Sequence, residues 1–284
     1  MISYSPKHWF LFIFKIHKAE TFRELFPLMT FIGLYAFAID YLMIQNFHPN
    51  AQSKISGLSI VYSVLGFVIS LLLVFRTNTA YERWWEGRKA WGGLINCSRN
   101  LAITIKTLLP ATEHPYFNTM IGHYSHALRL HLQVIKYKPA DLETAGITGE
   151  VAHLPNAIAL KVWERINQHP INDQRYLTLH AHWQQWTELC GVCERIKNTP
   201  IPFSYSAFLK KFLFFYIMFM PFAYVGTLGY FVVPLVVFIF YVLASIELIA
   251  EEIENPFGTD KNDLPLENLE WVIKKTVNEI FELK

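Results

Sequence analysis

The stretch GLSIVYSVLGFVISLLLVFRTNTAYERWWEGRKAW, residues 57–91, decides the architecture. Gly57 to Phe75 carries no charge and matches the ~20 apolar residues that one helix needs to cross a bilayer. From Arg76 the chain turns polar and aromatic without a proline or a glycine pair before Gly92. The pattern predicts a membrane helix that runs on into water. A helix turns about 100° per residue, so Ser59, Ser63, Gly66 and Ser70 fall within a stripe roughly 60° wide. Small residues on one face of a membrane helix let a neighbour approach closely. Phe67, Leu71 and Phe75 make a second stripe, centred roughly 110° away. An isolated apolar stripe of this kind meets lipid more often than a pore axis, and the residues alone leave both open.

The rest of the chain agrees with a membrane protein. Of 284 residues, 52% are hydrophobic, 16% aromatic and 17% charged, against about a quarter charged in a soluble domain. The formal charge of +2 and the lack of a long basic run exclude a nucleic-acid partner. Three cysteines, Cys97, Cys190 and Cys193, are too few and too oddly placed for a disulfide framework and suit a reducing compartment. The apolar N-terminal patch is interrupted by Lys15 and has no small-residue cleavage site, which argues against a removed signal. Residues 8–24 alternate bulky apolar with basic side chains, as an interfacial amphipathic helix or an ordinary packed helix end would.

Four spans are expected, at about 25–47, 57–75, 212–227 and 229–246. The last two come from the charge-free run Phe212–Ile246, too long for one crossing and split at Gly226 and Gly229. Asp40, in the first span, is expected near the far interface and not at membrane depth. Lys15, Lys18 and Arg23 precede the first span, Arg76, Arg83, Arg88 and Lys89 follow the second, and Lys210 and Lys211 precede the third, whereas the first loop offers only Lys54. By the positive-inside rule both termini and the middle segment are cytoplasmic. Residues 76–205 and 247–284 repeat apolar residues at three and four, broken at Pro110, Pro139, Pro155 and Pro170, and therefore read as helices. The expectation is one all-α domain over 1–284, part membrane and part cytoplasmic.

Enzyme chemistry finds little support. His180 and His182, and His123, His126 and His131, lack a second ligand pair at metal spacing and read as packing or surface residues. Cys190 and Cys193 have redox spacing inside a helical pattern, where small-residue packing is the better reading. No nucleophile elbow, phosphate loop or dinucleotide fingerprint is present. The acidic stretch 247–263 clusters Glu251, Glu252, Glu254, Asn255, Asp260 and Asp263 around a turn. It reads as a solvated cap of the last helix or, less often, as an oxygen-rich cation site.

Three blocks carry a resemblance: LGFVISLLLVFRTNTAYERWWEGRKAWG (65–92), CERIKNTPIPFSY (193–205) and AEEIENPFGTDKNDLPL (250–266). Together they resemble the bestrophin family in its bacterial branch, over most of the chain. The resemblance implies a homopentamer around a central pore, with four spans per subunit and a large cytoplasmic helical part, in a bacterial inner membrane. It places the family's hydrophobic neck on Phe67, Leu71 and Phe75, where an apolar ring can gate ions by dewetting. It also gives the Ser/Gly stripe a reason, since neighbouring neck helices must sit close together. The cytoplasmic constriction falls near Gln174, where bulky apolar residues are commoner in the family. The Ca²⁺ clasp maps onto Glu252, Asn255, Asp260 and Asp263, with Thr259, Lys261 and Asn262 interrupting the unbroken acidic run of animal members; no other cofactor is implied. The function implied is a passive channel for small monovalent ions. Cations such as sodium are slightly favoured over chloride, with an anion channel of the same architecture or a non-conducting scaffold as alternatives. A neck of Phe and Leu has no charge of its own, and ring edges and faces carry opposite partial signs.

Overall fold

The computed structural model describes residues 20–46 and 58–283. The loop at 48–54 and most of the 8–24 segment lie outside them. Among the described residues the chain is helical, without strands: α1 (Glu20–Asn46), α2 (Leu58–Leu108), α3 (His114–Leu132), α4 (Pro139–Thr144), α5 (Leu154–Ile166), α6 (Asp173–Asn198), α7 (Phe203–Leu228), α8 (Val232–Glu254) and α9 (Leu266–Glu282). Short 3-10 turns at Ala111–Glu113 and Gly229–Phe231 join α2 to α3 and α7 to α8. The chain divides into two compact units, one of residues 83–200 and 255–284, the other of residues up to 82 and 201–254.

The second unit holds the membrane helices. α1, α7, α8 and the long α2 contain the stretches long and apolar enough to cross a bilayer. The turn expected between the last two spans is at Gly229, whose φ of 51° lies in the left-handed region that glycine tolerates. Both flanking helices extend beyond the expected spans, α7 beginning at Phe203 and α8 ending at Glu254. α1 packs against α8 and α7. A Cβ on Gly33 would stand 3.3 Å from Val237, so a small residue suits that contact. Leu25, Ile32, Ala36, Tyr62, Ile69, Leu73, Leu213, Ile217 and Val236 make the shared core. Tyrosine hydroxyls tie the helices together: Tyr35 donates to the Met218 carbonyl at 3.0 Å and Tyr205 to that of Leu72 at 2.9 Å.

Asp40 is covered by protein. It is fully buried, and neither carboxylate oxygen has a hydrogen-bond partner.

The first unit is a soluble-type helical body. α3 packs on α5 and α9. Trp91, Leu94, Leu101, Phe117, Tyr124, Leu128, Ile158, Val162, Leu179, Trp186 and Ile273 fill its core. Tyr124 and Trp186 stack with centroids 3.7 Å apart, and the Trp186 indole donates to Ser98 Oγ at 3.0 Å. Cys190 and Cys193 are free and buried among these residues. Burial pushes the Cys190 thiol up to about 12 and the Cys193 thiol upward as well, so packing, not redox chemistry, accounts for their spacing. α2 does not stop at Gly92-Gly93 but continues to Leu108. A Cβ on Gly93 would meet Leu189 at 3.1 Å, so the glycine serves close helix packing and not a break.

Candidate functional site

The candidate site begins with the faces of α2. Within the membrane unit, up to residue 82, its buried positions are Tyr62, Ile69, Leu73, Arg76 and Ala80. They recur at three, four and seven, and all lie within about 40° of one direction on the helical wheel. Phe67, Leu71 and Phe75 are centred about 180° from that direction. They are 69%, 44% and 56% exposed. The proposed neck stripe is thus the face of α2 directed away from the helices that this unit packs against it.

The Ser/Gly stripe lies beside the buried face. Gly66 makes a close approach within the unit, a Cβ there lying 2.7 Å from the Tyr216 hydroxyl. Ser63 and Ser70 are exposed and donate to their own helix, to the carbonyls of Ser59 at 3.0 Å and Gly66 at 2.7 Å. These serines flank the buried face at roughly 60–100°. The buried stripe is what the sequence reading missed. Its signal was present, since Tyr62, Ile69, Leu73, Arg76 and Ala80 share one helical period, but Arg76 does not read as a core residue.

Arg76 follows the neck stripe directly. Its side chain is 1% exposed. Nη2 donates to Glu254 Oε2 at 2.6 Å, and Nε faces Glu247 Oε2 at 3.7 Å. Glu254 Oε1 in turn accepts from the Ile201 backbone amide at 2.7 Å. One carboxylate therefore fixes the arginine at the foot of the apolar stripe and the chain segment leading into α7.

The acidic turn falls in two places. Glu252 is half-buried on α8 in the membrane unit, while Asn255, Asp260 and Asp263 belong to the other unit. Asn255 and Asp260 are exposed and Asp263 is buried. Asp263 Oδ2 accepts from the Asp260 amide at 2.7 Å, and a Cβ on Gly258 would lie 2.6 Å from that same oxygen. The Leu264 amide donates to the Pro256 carbonyl at 3.0 Å, closing the turn. The fully buried Phe257 lies against Gly87 of α2, where a Cβ would meet its ring at 3.1 Å. Trp84 donates to the Asn262 carbonyl at 3.0 Å. The turn is a folded, anchored element whose one buried carboxylate organises its own backbone.

Gln174 stands exposed in the first turn of α6, where the Asn172 side chain caps the helix by accepting from the Arg175 amide at 3.0 Å. Leu177, three residues on and on the same face, is 65% exposed. An apolar side chain so open to solvent at this position is a second candidate for the constriction.

The long apolar helices, the outward Phe/Leu stripe and the arginine buried at its foot define a helical membrane protein. The model of the family "Bacterial/Fungal Bestrophin protein" matches residues 1–279, and the chain belongs to that family. A voltage-dependent anion channel-forming protein of Nostoc sp. is 30% identical over 98% of this chain and 94% of its own length. One of the same description from Synechocystis sp. is 35% identical over 79% and 77%, and YneE of Escherichia coli K12 is 30% identical over 94% and 90%. Among solved structures, a bacterial bestrophin homologue from Klebsiella pneumoniae superposes with a TM-score of 0.78 at 25% identity, covering 92% of this chain and all of that one.

Proposed function

We propose that the protein is a passive ion channel, a homopentamer in a bacterial cell membrane whose five α2 helices present Phe67, Leu71 and Phe75 to a central axis. The observation that carries the reading is the placement of these side chains opposite the buried face of α2, 44% to 69% exposed. Only about a quarter of each apolar span window is buried within the chain, 22% to 28%. The remainder needs lipid or further copies to cover it, and the exposed serines beside the stripe are the small residues that a neighbouring copy could approach closely.

Such a neck conducts by wetting and closes by dewetting, because an apolar ring holds no groups to replace an ion's hydration shell. In this reading small monovalent cations pass slightly better than chloride, and the termini face the cytoplasm as the basic residues around the spans suggest. A second reading, anion conduction, is favoured by the description of the Nostoc and Synechocystis relatives as anion channel-forming proteins. Gln174 or Leu177 would form the cytoplasmic constriction. Glu252, Asn255, Asp260 and Asp263 supply the hard oxygen donors that Ca²⁺ prefers. Asp263 already organises its turn, so calcium would add to a turn that closes through its own hydrogen bonds. Reversal potentials in planar bilayers decide selectivity: under a sodium chloride gradient the potential shifts from zero towards that of sodium for the first reading and towards that of chloride for the second. Absence of any conductance would leave a scaffold role.

A further inference from the structure

Away from the neck stripe and the acidic turn, three side chains from separate parts of the first unit converge. His131 is the penultimate residue of α3, His153 immediately precedes α5, and Glu194 sits near the end of α6. Nε2 of His131 stands 2.7 Å, and Nε2 of His153 2.6 Å, from the same carboxylate oxygen, Glu194 Oε1. The two imidazole rings are 4.3 Å apart. All three potential donor atoms lie within 4.8 Å of one another. Each side chain is about a quarter exposed. A cleft of about 700 Å³ lined by His131, Tyr137, Glu150 and Lys197 opens beside them.

We infer that His131, His153 and Glu194 form a binding site for a divalent transition-metal ion of borderline softness, zinc being the first candidate. Two imidazoles and a carboxylate are the donors such ions select, whereas Ca²⁺ and Mg²⁺ take all-oxygen sets. In the metal-free arrangement both Nε2–H groups donate to one carboxylate oxygen, so protons occupy the place of the ion. Zinc bonds of about 2.0–2.1 Å in a tetrahedral site separate the ligand atoms by roughly 3.3 Å. Each contact must therefore open by about 0.6–0.7 Å, a small side-chain movement.

The surroundings fit in one part and resist in another. The Tyr137 hydroxyl lies 3.3 Å from His131 Nδ1, where it can accept the N–H that a metal-bound imidazole carries on its other nitrogen. At His153 the other nitrogen, Nδ1, accepts from the Asn156 amide at 3.1 Å and so caps α5. An imidazole bound through Nε2 carries its proton at Nδ1, so metal binding opens this cap. Loading therefore has a local signature at Asn156.

The test uses the untagged full-length protein in detergent, stripped with chelator and titrated with zinc chloride in the presence of excess calcium, which occupies any all-oxygen site. The expected result is one zinc per chain, with affinity reduced at least about tenfold in Glu194→Gln and in His131→Ala. Two readouts on the unmodified protein stand independently of whether the variants fold. Cobalt(II) gives the visible absorption of a four-coordinate nitrogen/oxygen site, and hydrogen exchange at the Asn156 amide speeds up on zinc addition. Loss of zinc binding in excess calcium, binding unchanged by both substitutions in folded protein, or a six-coordinate cobalt spectrum would each overturn the assignment.

Discussion

The guanidinium of Arg76 donates to Glu254 at 2.6 Å at the foot of the helix that carries Phe67, Leu71 and Phe75. The pair joins α2 to the last turn of α8, and both side chains are largely withdrawn from solvent, at 1% and 14% exposed. Removing one member of a buried pair strands the other charge and costs about 3–5 kcal/mol. Arg76→Gln and Glu254→Gln should each lower thermal stability in detergent sharply, and the double variant should lose less than the sum of the two. Additive losses, measured by intrinsic fluorescence melts, would show that the two side chains act separately.

A second prediction concerns Gly258. Its missing Cβ leaves room for Asp263 Oδ2, which would otherwise be 2.6 Å away. Gly258→Ala should destabilise the chain by about 1–3 kcal/mol through overpacking. Adding Asp263→Ala should recover part of the steric loss while removing the hydrogen bond to the Asp260 amide. Urea midpoints of the two variants test this, and a Gly258→Ala midpoint equal to that of the unmodified chain would refute it.

Acid should weaken the soluble-type unit through Glu270. Burial raises the proton affinity of its carboxyl, but hydrogen bonds from His126, Lys274 and Arg129 more than reverse this and bring it to about 2. Because the folded value lies below the unfolded one, about 4.3, the contribution is complete above about pH 5 and disappears as pH falls towards 2. It amounts to about 3 kcal/mol. Stability of the full-length protein should fall over that window, and Glu270→Gln should start lower and flatten the profile. A variant profile parallel to the original would contradict this assignment.

Cys190 and Cys193 offer a chemical test of the core. Their thiols are buried and held protonated. Maleimide at neutral pH should leave both unmodified in the folded protein and label them on denaturation, as mass spectrometry would show. Labelling before unfolding would mean that the α6 face carrying them opens to solvent.

How much of this was legible in the sequence depends on the range of the interactions. The apolar period of α2, the tight turn at Gly229 and the helical pattern between the prolines are local, and the structure follows them. The buried stripe of α2 was missed because its strongest member, Arg76, is admitted to the interior only by Glu247 and Glu254, more than 170 residues away. His153 and Glu194 could not be joined to His131 by spacing, since three separate helices bring them together.

The central claim is that the outward stripe of α2 forms an apolar gate. The most direct measurement is salt-gradient flux through purified protein in liposomes, comparing the unmodified chain with Phe67, Leu71 and Phe75 all changed to Ala. The account predicts measurable flux in the first and a marked increase in the second, as the apolar constriction widens and stays wet. Equal flux in the two, or none in either, would contradict it.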